Sequence, residues 1–164
     1  MRGDAGGVRR KEKIRVGLIA DTHGLLRPEA KAFLQAADYI IHAGDIGDGA
    51  ILDELRAISR VFAVRGNNDA GPWAEPLPET KTVRLGEVGI HVIHDLAEIC
   101  IDPAALGVQV VVSGHSHKPS LKRRHGVLFL NPGSAGPPLQ AADRPRRAPP
   151  RGFLCLGAPR RTAG

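Results

Sequence analysis

Three things are scarce in this chain of 164 residues. Aromatic residues make up only 4%. Bases stack on flat side chains, so there are few platforms for single-stranded nucleic acid. There are two cysteines, Cys100 and Cys155, with no CxxC pair. That excludes a disulfide framework and suits a reducing cytoplasm, with both thiols at ordinary apolar positions. No apolar run approaches the roughly 20 residues needed to span a bilayer. The opening MRGDAGGVRRKEK has basic residues but no apolar stretch, and does not read as a secretory signal. The expectation is a cytoplasmic protein without a membrane partner.

What is present fits one globular domain. Apolar residues are 42% and charged residues 24%, close to the soluble average, and the length suits one core. The formal charge is +6, from 23 Lys and Arg against 17 Asp and Glu. An excess of this sign invites a nucleic-acid reading, so its location matters. Residues 1–13 carry +3, residues 143–164 carry +5, and residues 14–142 carry −2. The basicity belongs to the ends, which makes specific nucleic-acid binding a poor expectation.

The hydropathy pattern predicts strands alternating with helices, then strands alone. Ile14–Ala20, Tyr39–Ala43 and Val61–Val64 read as strands. Between them, the stretch from Pro28 through EAKAFLQAA and Gly49–Ile58 have helical spacing. This β-α-β-α-β order argues for parallel strands packed with helices. Thr80–Leu85 with Val88–Ile93 reads as a hairpin, Val108–Ser113 as a buried strand. Ser120–Lys122 and Val127–Leu130 flank a basic turn at Arg123–Gly126, and Phe153–Leu156 reads as a final strand. The expected domain covers 14–157, with a basic tail over 1–13, a Pro/Arg-rich loop over 135–151 and a tail over 158–164. The intervening loop predicts a short or frayed last sheet edge.

The chemistry gathers where strands end. Asp21 and His23 follow the first strand, Asp45 the second and Asn67 the third. His94 follows the second strand of the hairpin, and His115 and His117 follow the Val-rich strand. In α/β sheets the carboxyl ends of strands are where sites are built. Carboxylate, amide and imidazole without thiolate suit borderline divalent cations. Gly24, Gly44, Gly66 and Gly114 adjoin these residues, as tight turns off strand ends require.

The ordered motifs DTHG (21–24), GD (44–45), GNND (66–69), IHD (93–95), GHSH (114–117) and NPGS (131–134) resemble those of the calcineurin-like metallophosphoesterases. The closer similarity is to their small bacterial and archaeal phosphodiesterase branch, over roughly residues 14–134. The resemblance implies a four-layer α-β-β-α sandwich, two central sheets flanked by helices, with a dinuclear metal site at the strand ends. It assigns Asp21, His23, Asp45 and His117 to one ion, and Asp45, Asn67, His94 and His115 to the other. Asp45 would bridge ions about 3.5–4 Å apart, which two carboxylate oxygens allow. The implied cofactor is two divalent ions, Mn²⁺ first, with Ni²⁺, Fe²⁺ or Zn²⁺ as alternatives. The implied reaction is phosphoester hydrolysis by a metal-bridging hydroxide, with Asp45, His23 and Asn67 as catalytic residues. Many members carry His after the GN pair. Here Asn68 stands there and cannot act as an acid, which predicts a preference for leaving groups needing little protonation. His23 or a metal-bound water is left as the proton source.

Blander roles compete at neighbouring positions. Asp69 either orients a ligand or bonds its own turn. Asp95 reads as a turn residue, His42 as a core group and His125 as an exposed turn residue. His91, three positions before His94, is expected on the opposite face in a structural role. Arg27, Arg65, the basic cluster at Lys118 and Lys122–Arg124, and NPGS are read as surface or structural, and Trp73 as packing. The substrate expected is a small or nucleotide-like phosphodiester, and a homo-oligomer is left open. The alternatives are a nuclease of the same superfamily or a non-catalytic scaffold. Small size, an acidic body and few aromatics oppose the first. A scaffold could lose ligands, yet every ligand position is filled.

Overall fold

The structure is a computed structural model that describes residues 13–136 and the strand Leu154–Pro159. Most of the expected N-terminal tail and of the Pro/Arg-rich loop, and residues 160–164, lie outside the described residues. Strands β1 (Lys13–Ile19), β2 (Tyr39–His42) and β3 (Arg60–Ala63) alternate with helices α1 (Pro28–Leu34) and α2 (Gly49–Ile58). The three strands are parallel neighbours, as the alternation predicts. Then come β4 (Thr80–Leu85), β5 (Val88–Ile93), a 3-10 turn (Leu96–Glu98), β6 (Val110–Val112), β7 (Ser120–Arg124), β8 (Val127–Asn131) and β9 (Leu154–Pro159). One sheet has the order β3-β2-β1-β9 and the other β4-β5-β6-β8-β7.

The two sheets share a core. Val16 and Leu18 of β1, Ile41 of β2, Ile90 and Val92 of β5, and Val110 and Val112 of β6 meet between them. Alternation sends Ile19, Ile40 and Ala63 to the other face of the first sheet. There they meet Ala30 and Leu34 of α1 and Ile51, Leu52 and Leu55 of α2. Helix α2 begins where its capping group sits: the Asp48 carboxylate accepts from the Ala50 amide at 2.9 Å. Helix α1 ends at Leu34, short of the run of helical composition. Its last turn tightens, with Gln35 bonding back to Ala32 and Ala37 to Leu34.

The four-layer expectation needs correction. Among the described residues no α-helix covers the outer face of the second sheet. Leu96 and Ile99, in and just after the 3-10 turn, pack there against Ile93, Val108, Val111 and Val127. The basic turn is also smaller than expected. Strand β7 runs on to Arg124, and His125 and Gly126 form a two-residue turn with φ of 47° and 80°, the pattern that follows sheet twist. The last edge is not short. β9 pairs antiparallel with β1 from Lys13–Pro159 to Leu18–Leu154, just outside the expected 14–157 boundaries. Of the expected loop, Ala135 and Gly136 are buried and bond to Ala20 and Asp21. Cys100 is exposed, not at an apolar core position.

Candidate metal centre

The ends of β1, β2, β3, β5 and β6 converge at one end of the two sheets, and their loops are tied by main-chain bonds. The amides of Asp21, His23 and Gly24 bond the carbonyls of Gly44, Asp45 and Ile46, continuing the parallel ladder past the strands. Within the second sheet, Gly114 N–H bonds the His94 carbonyl at 3.0 Å, and across the sheets His115 N–H bonds Asp21 Oδ1 at 3.2 Å. Five of the seven residues in question take left-handed backbone: Asp21, His23, Asp45, His115 and His117, with φ between 47° and 65°. Non-glycine residues rarely adopt it without cause. Two of the adjoining glycines serve close approach. A Cβ on Gly44 would lie 2.6 Å from His94 Nδ1, and one on Gly66 would overlap the Asp45 carboxylate.

The seven side chains fall into two touching groups. Asp21, His23, Asp45 and His117 present ligand atoms within 4.8 Å of one another. His23 Nε2 and His117 Nε2 are 3.3 Å apart, and His117 Nε2 is 3.6 Å from Asp21 Oδ1. Beside them Asn67 Oδ1 lies 3.0 Å from His94 Nε2 and 3.1 Å from His115 Nδ1. Asp45 joins the groups, with Oδ2 3.9 Å from His23 Nε2 and Oδ1 3.4 Å from His94 Nε2.

This donor set fits a cation. His94 Nδ1 donates to the Ala43 carbonyl at 2.8 Å, which fixes the tautomer and turns the Nε2 lone pair inward. Among the described residues that lone pair faces two oxygen acceptors, Asn67 Oδ1 and Asp45 Oδ1. Without a cation a proton must fill the gap. Burial opposes charge on His94, but the bonds to Asp45 and the Ala43 carbonyl, together with the charges of Asp45 and Asp21, raise its pKa. Asp21 is fully buried, and its Oδ2 has no hydrogen-bond partner among the described residues. Burial raises its pKa despite nearby imidazoles. Burial would also raise Asp45, yet bonds from His94 and both nitrogens of Asn68 hold it well below the usual range. Buried carboxylates and inward lone pairs are costly unless a cation joins them.

Residues 14–149 match the calcineurin-like phosphoesterase superfamily domain. The chain belongs to that superfamily. A probable metallophosphoesterase of Methanocaldococcus jannaschii is 34% identical over 134 residues, covering 73% of this chain and 67% of the relative. Vacuolar protein sorting 29 from Cryptosporidium parvum has the same fold, with a TM-score of 0.72 at 24% identity over 91% of this chain and 87% of that one. The zinc complex of its counterpart from Entamoeba histolytica gives a TM-score of 0.61 at 27% identity over 74% of each chain.

Around the candidate metal centre, several residues do more than their sequence context indicates. Asn68 gives its side-chain amide to Asp45 Oδ2 at 2.7 Å and its backbone amide to Oδ1 at 2.9 Å. Asp69 accepts from the Gly47 and Gly66 amides, both at 2.8 Å, so it locks two loops. Asn131 of NPGS donates to the Gly114 carbonyl at 2.6 Å, and Ser134 to the Asp21 carbonyl at 3.0 Å. Asp95 caps the 3-10 turn and also lies 3.7 Å from His115 Nε2. His42 is fully buried. The Thr22 hydroxyl donates to Ile46, so it accepts from His42 Nε2. His91 bonds Thr82 and lines a cleft beside His94; His94 lies beyond the end of β5, where alternation no longer holds. Trp73 packs on the helix-side core, and Lys122–Arg124 are exposed on edge strand β7.

Proposed function

We propose that this superfamily member is a metal-dependent phosphodiesterase acting on a small or nucleotide-like diester. Asp21, His23, Asp45 and His117 would hold one divalent ion, and Asp45, Asn67, His94 and His115 the other. The observation that carries the reading is the inward His94 Nε2, aimed with Asn67 and Asp45 at a point that only a cation or proton can satisfy. The ions, when bound, supply Lewis acidity that activates water near neutral pH and draws charge from phosphoryl oxygens. Mn²⁺ is the first ion to test, with Ni²⁺, Fe²⁺ and Zn²⁺ as alternatives for an N,O donor set.

The chain supplies position. Asn68 holds both oxygens of Asp45 and, as a neutral amide, carries no proton to give a departing alcohol. That leaves His23, partly exposed beside His117, or water as the source of that proton. Diesters with acidic alcohols are therefore the favoured substrates.

The test is metal analysis with hydrolysis of bis(4-nitrophenyl) phosphate, using Asp45→Ala and His117→Ala as controls. Two ions per wild-type chain, lost with activity in Asp45→Ala, support the reading. A wild type that stays inactive with Mn²⁺ favours a scaffold. Equal rates for diesters with good and poor leaving groups, with chemistry limiting both, would sink the leaving-group argument. Cleavage of nucleic acid with steep salt dependence would favour a nuclease.

A further inference from the structure

A cleft of about 650 Å³ opens from the Asn67, His94 and His115 side of the site. Its far walls come from residues other than the candidate metal ligands. Arg65 and Glu79 stand on one side, His91 and Ile93 of β5 line it, and Asp95 and Glu98 lie at the 3-10 turn. A phosphate on the metal centre would leave one ester arm room only where such a space exists.

The charges in this cleft are uneven. Among the described residues Arg65 is its one Lys or Arg, and it is paired with Glu79 at 2.8 Å. Against it stand Asp69, Glu79, Asp95 and Glu98. Asp69 is closed off by two backbone amides, and Asp95 is turned to Ala97 and His115. The Glu98 carboxylate is exposed and forms no ion pair among the described residues. His91 adds no charge near neutral pH, since burial lowers its pKa. Its Nδ1 is engaged by Thr82 at 2.8 Å, leaving Nε2 without a hydrogen-bond partner among the described residues, in a residue that lines the cleft. The cleft thus offers a neutral imidazole, a free carboxylate and the apolar side chains of Ile93 and Ile101.

We propose that this cleft is the subsite for one alcohol arm of the substrate, and that it selects an amino-alcohol or uncharged arm against an anionic one. The inference rests on the phosphodiesterase reading for its phosphate position. The field changes sign over a short distance: two divalent ions would make the centre positive, while the cleft beyond it is acidic. A diester with a cationic or hydroxylated arm fits both ends. A second phosphate or carboxylate on that arm meets Glu98 and the paired Glu79. Arg65 is already paired with Glu79, which reduces what it offers such an arm.

Phosphates with a single arm test this without ambiguity about which arm enters. Binding of phosphorylcholine, ethyl phosphate and phosphoglycolate to the Mn²⁺-loaded protein is measured by calorimetry, for wild type and Glu98→Lys. The expected order is phosphorylcholine, then ethyl phosphate, then phosphoglycolate, with the extremes separated on the order of 5-fold, as partly screened charge pairs allow. Glu98→Lys, at an exposed position, should collapse or invert that order. Equal affinities, tightest binding of phosphoglycolate, an order unmoved by Glu98→Lys, or no binding at all would overturn the proposal. Hydrolysis of bis(4-nitrophenyl) phosphate is followed in parallel. Ordered binding without hydrolysis would reject the phosphodiesterase reading and keep the subsite; hydrolysis without ordering would do the reverse.

Discussion

Asn68 shows how a single side chain can matter without being a ligand. Its amide and its main-chain N–H together occupy one bonding direction on each oxygen of Asp45. The carboxylate plane is thereby fixed before any ion arrives. Partners of this kind typically set 10–100-fold in metal affinity. Asn68→Ala should therefore weaken Mn²⁺ binding by about 10–100-fold while far-ultraviolet dichroism stays unchanged; a titration that matches wild type would remove the role. His42 makes a separate prediction. Burial is the main cause that pushes its pKa from 6.5 down to about 3. The unfolded chain binds the proton first, so this contribution to stability is complete above pH 6.5 and lost as pH falls toward 3. In chelator, the urea midpoint of wild type should drop over that window more steeply than that of His42→Leu, even though the variant starts lower. Parallel curves would mean that His42 is not held neutral. The seven candidate ligands were legible in the sequence because their chemistry is rare at strand ends. Asn68, Thr22 and Asn131 were not, because each bonds a segment brought near only by folding, and nothing in a local pattern marks such a bond.

Among the elements, legibility followed how local the cause was. Helix α2 could be read to its ends because its cap and its apolar spacing lie within the same stretch. The β7–β8 hairpin was read with too large a turn, since basic residues on an exposed edge strand resemble a loop in composition. The lack of an outer helix over the second sheet among the described residues has a different cause. The resemblance implied a layer over the second sheet, yet Leu96 and Ile99 cover that face from a 3-10 turn and its end. A close fit between β1 and α1 can be tested directly. Gly17 lies against α1, and a Cβ there would overlap the Leu34 side chain and sit 3.2 Å from Ala37 Cβ. Gly17→Ala should cost about 1–3 kcal/mol by overpacking, and Leu34→Ala about 2–5 kcal/mol by leaving a cavity. The double variant should cost less than the sum of the two, because the new methyl enters the space vacated. Additive denaturation free energies would show that α1 does not rest on this contact.

For the molecule as a whole, the site is also the joint between its two sheets. Asp21, His23, Asp45 and Asn67 come from loops of the first sheet, and His94, His115 and His117 from loops of the second. Apolar packing holds the sheets face to face, but at this end the contacts are buried polar groups that oppose one another without a cation. The overall charge of +6 is a poor guide to this place. Residues 14–142 carry −2, and bound divalent ions would supply the positive field where acid and imidazole converge. Metal should therefore stabilise the fold as well as activate it. A ligand that binds only the folded state adds about 2.7 kcal/mol at 100 times its Kd. The melting temperature should rise with Mn²⁺ and fall with chelator in wild type, and respond far less in Asp45→Ala, where the residue shared by both groups is gone. Hydrogen exchange should show the added protection in the loops after β1, β2, β5 and β6 together, because one centre ties all of them. Protection confined to the loops of a single sheet would mean that the ions do not bridge the two, and the stability gain would then come from one half of the site alone.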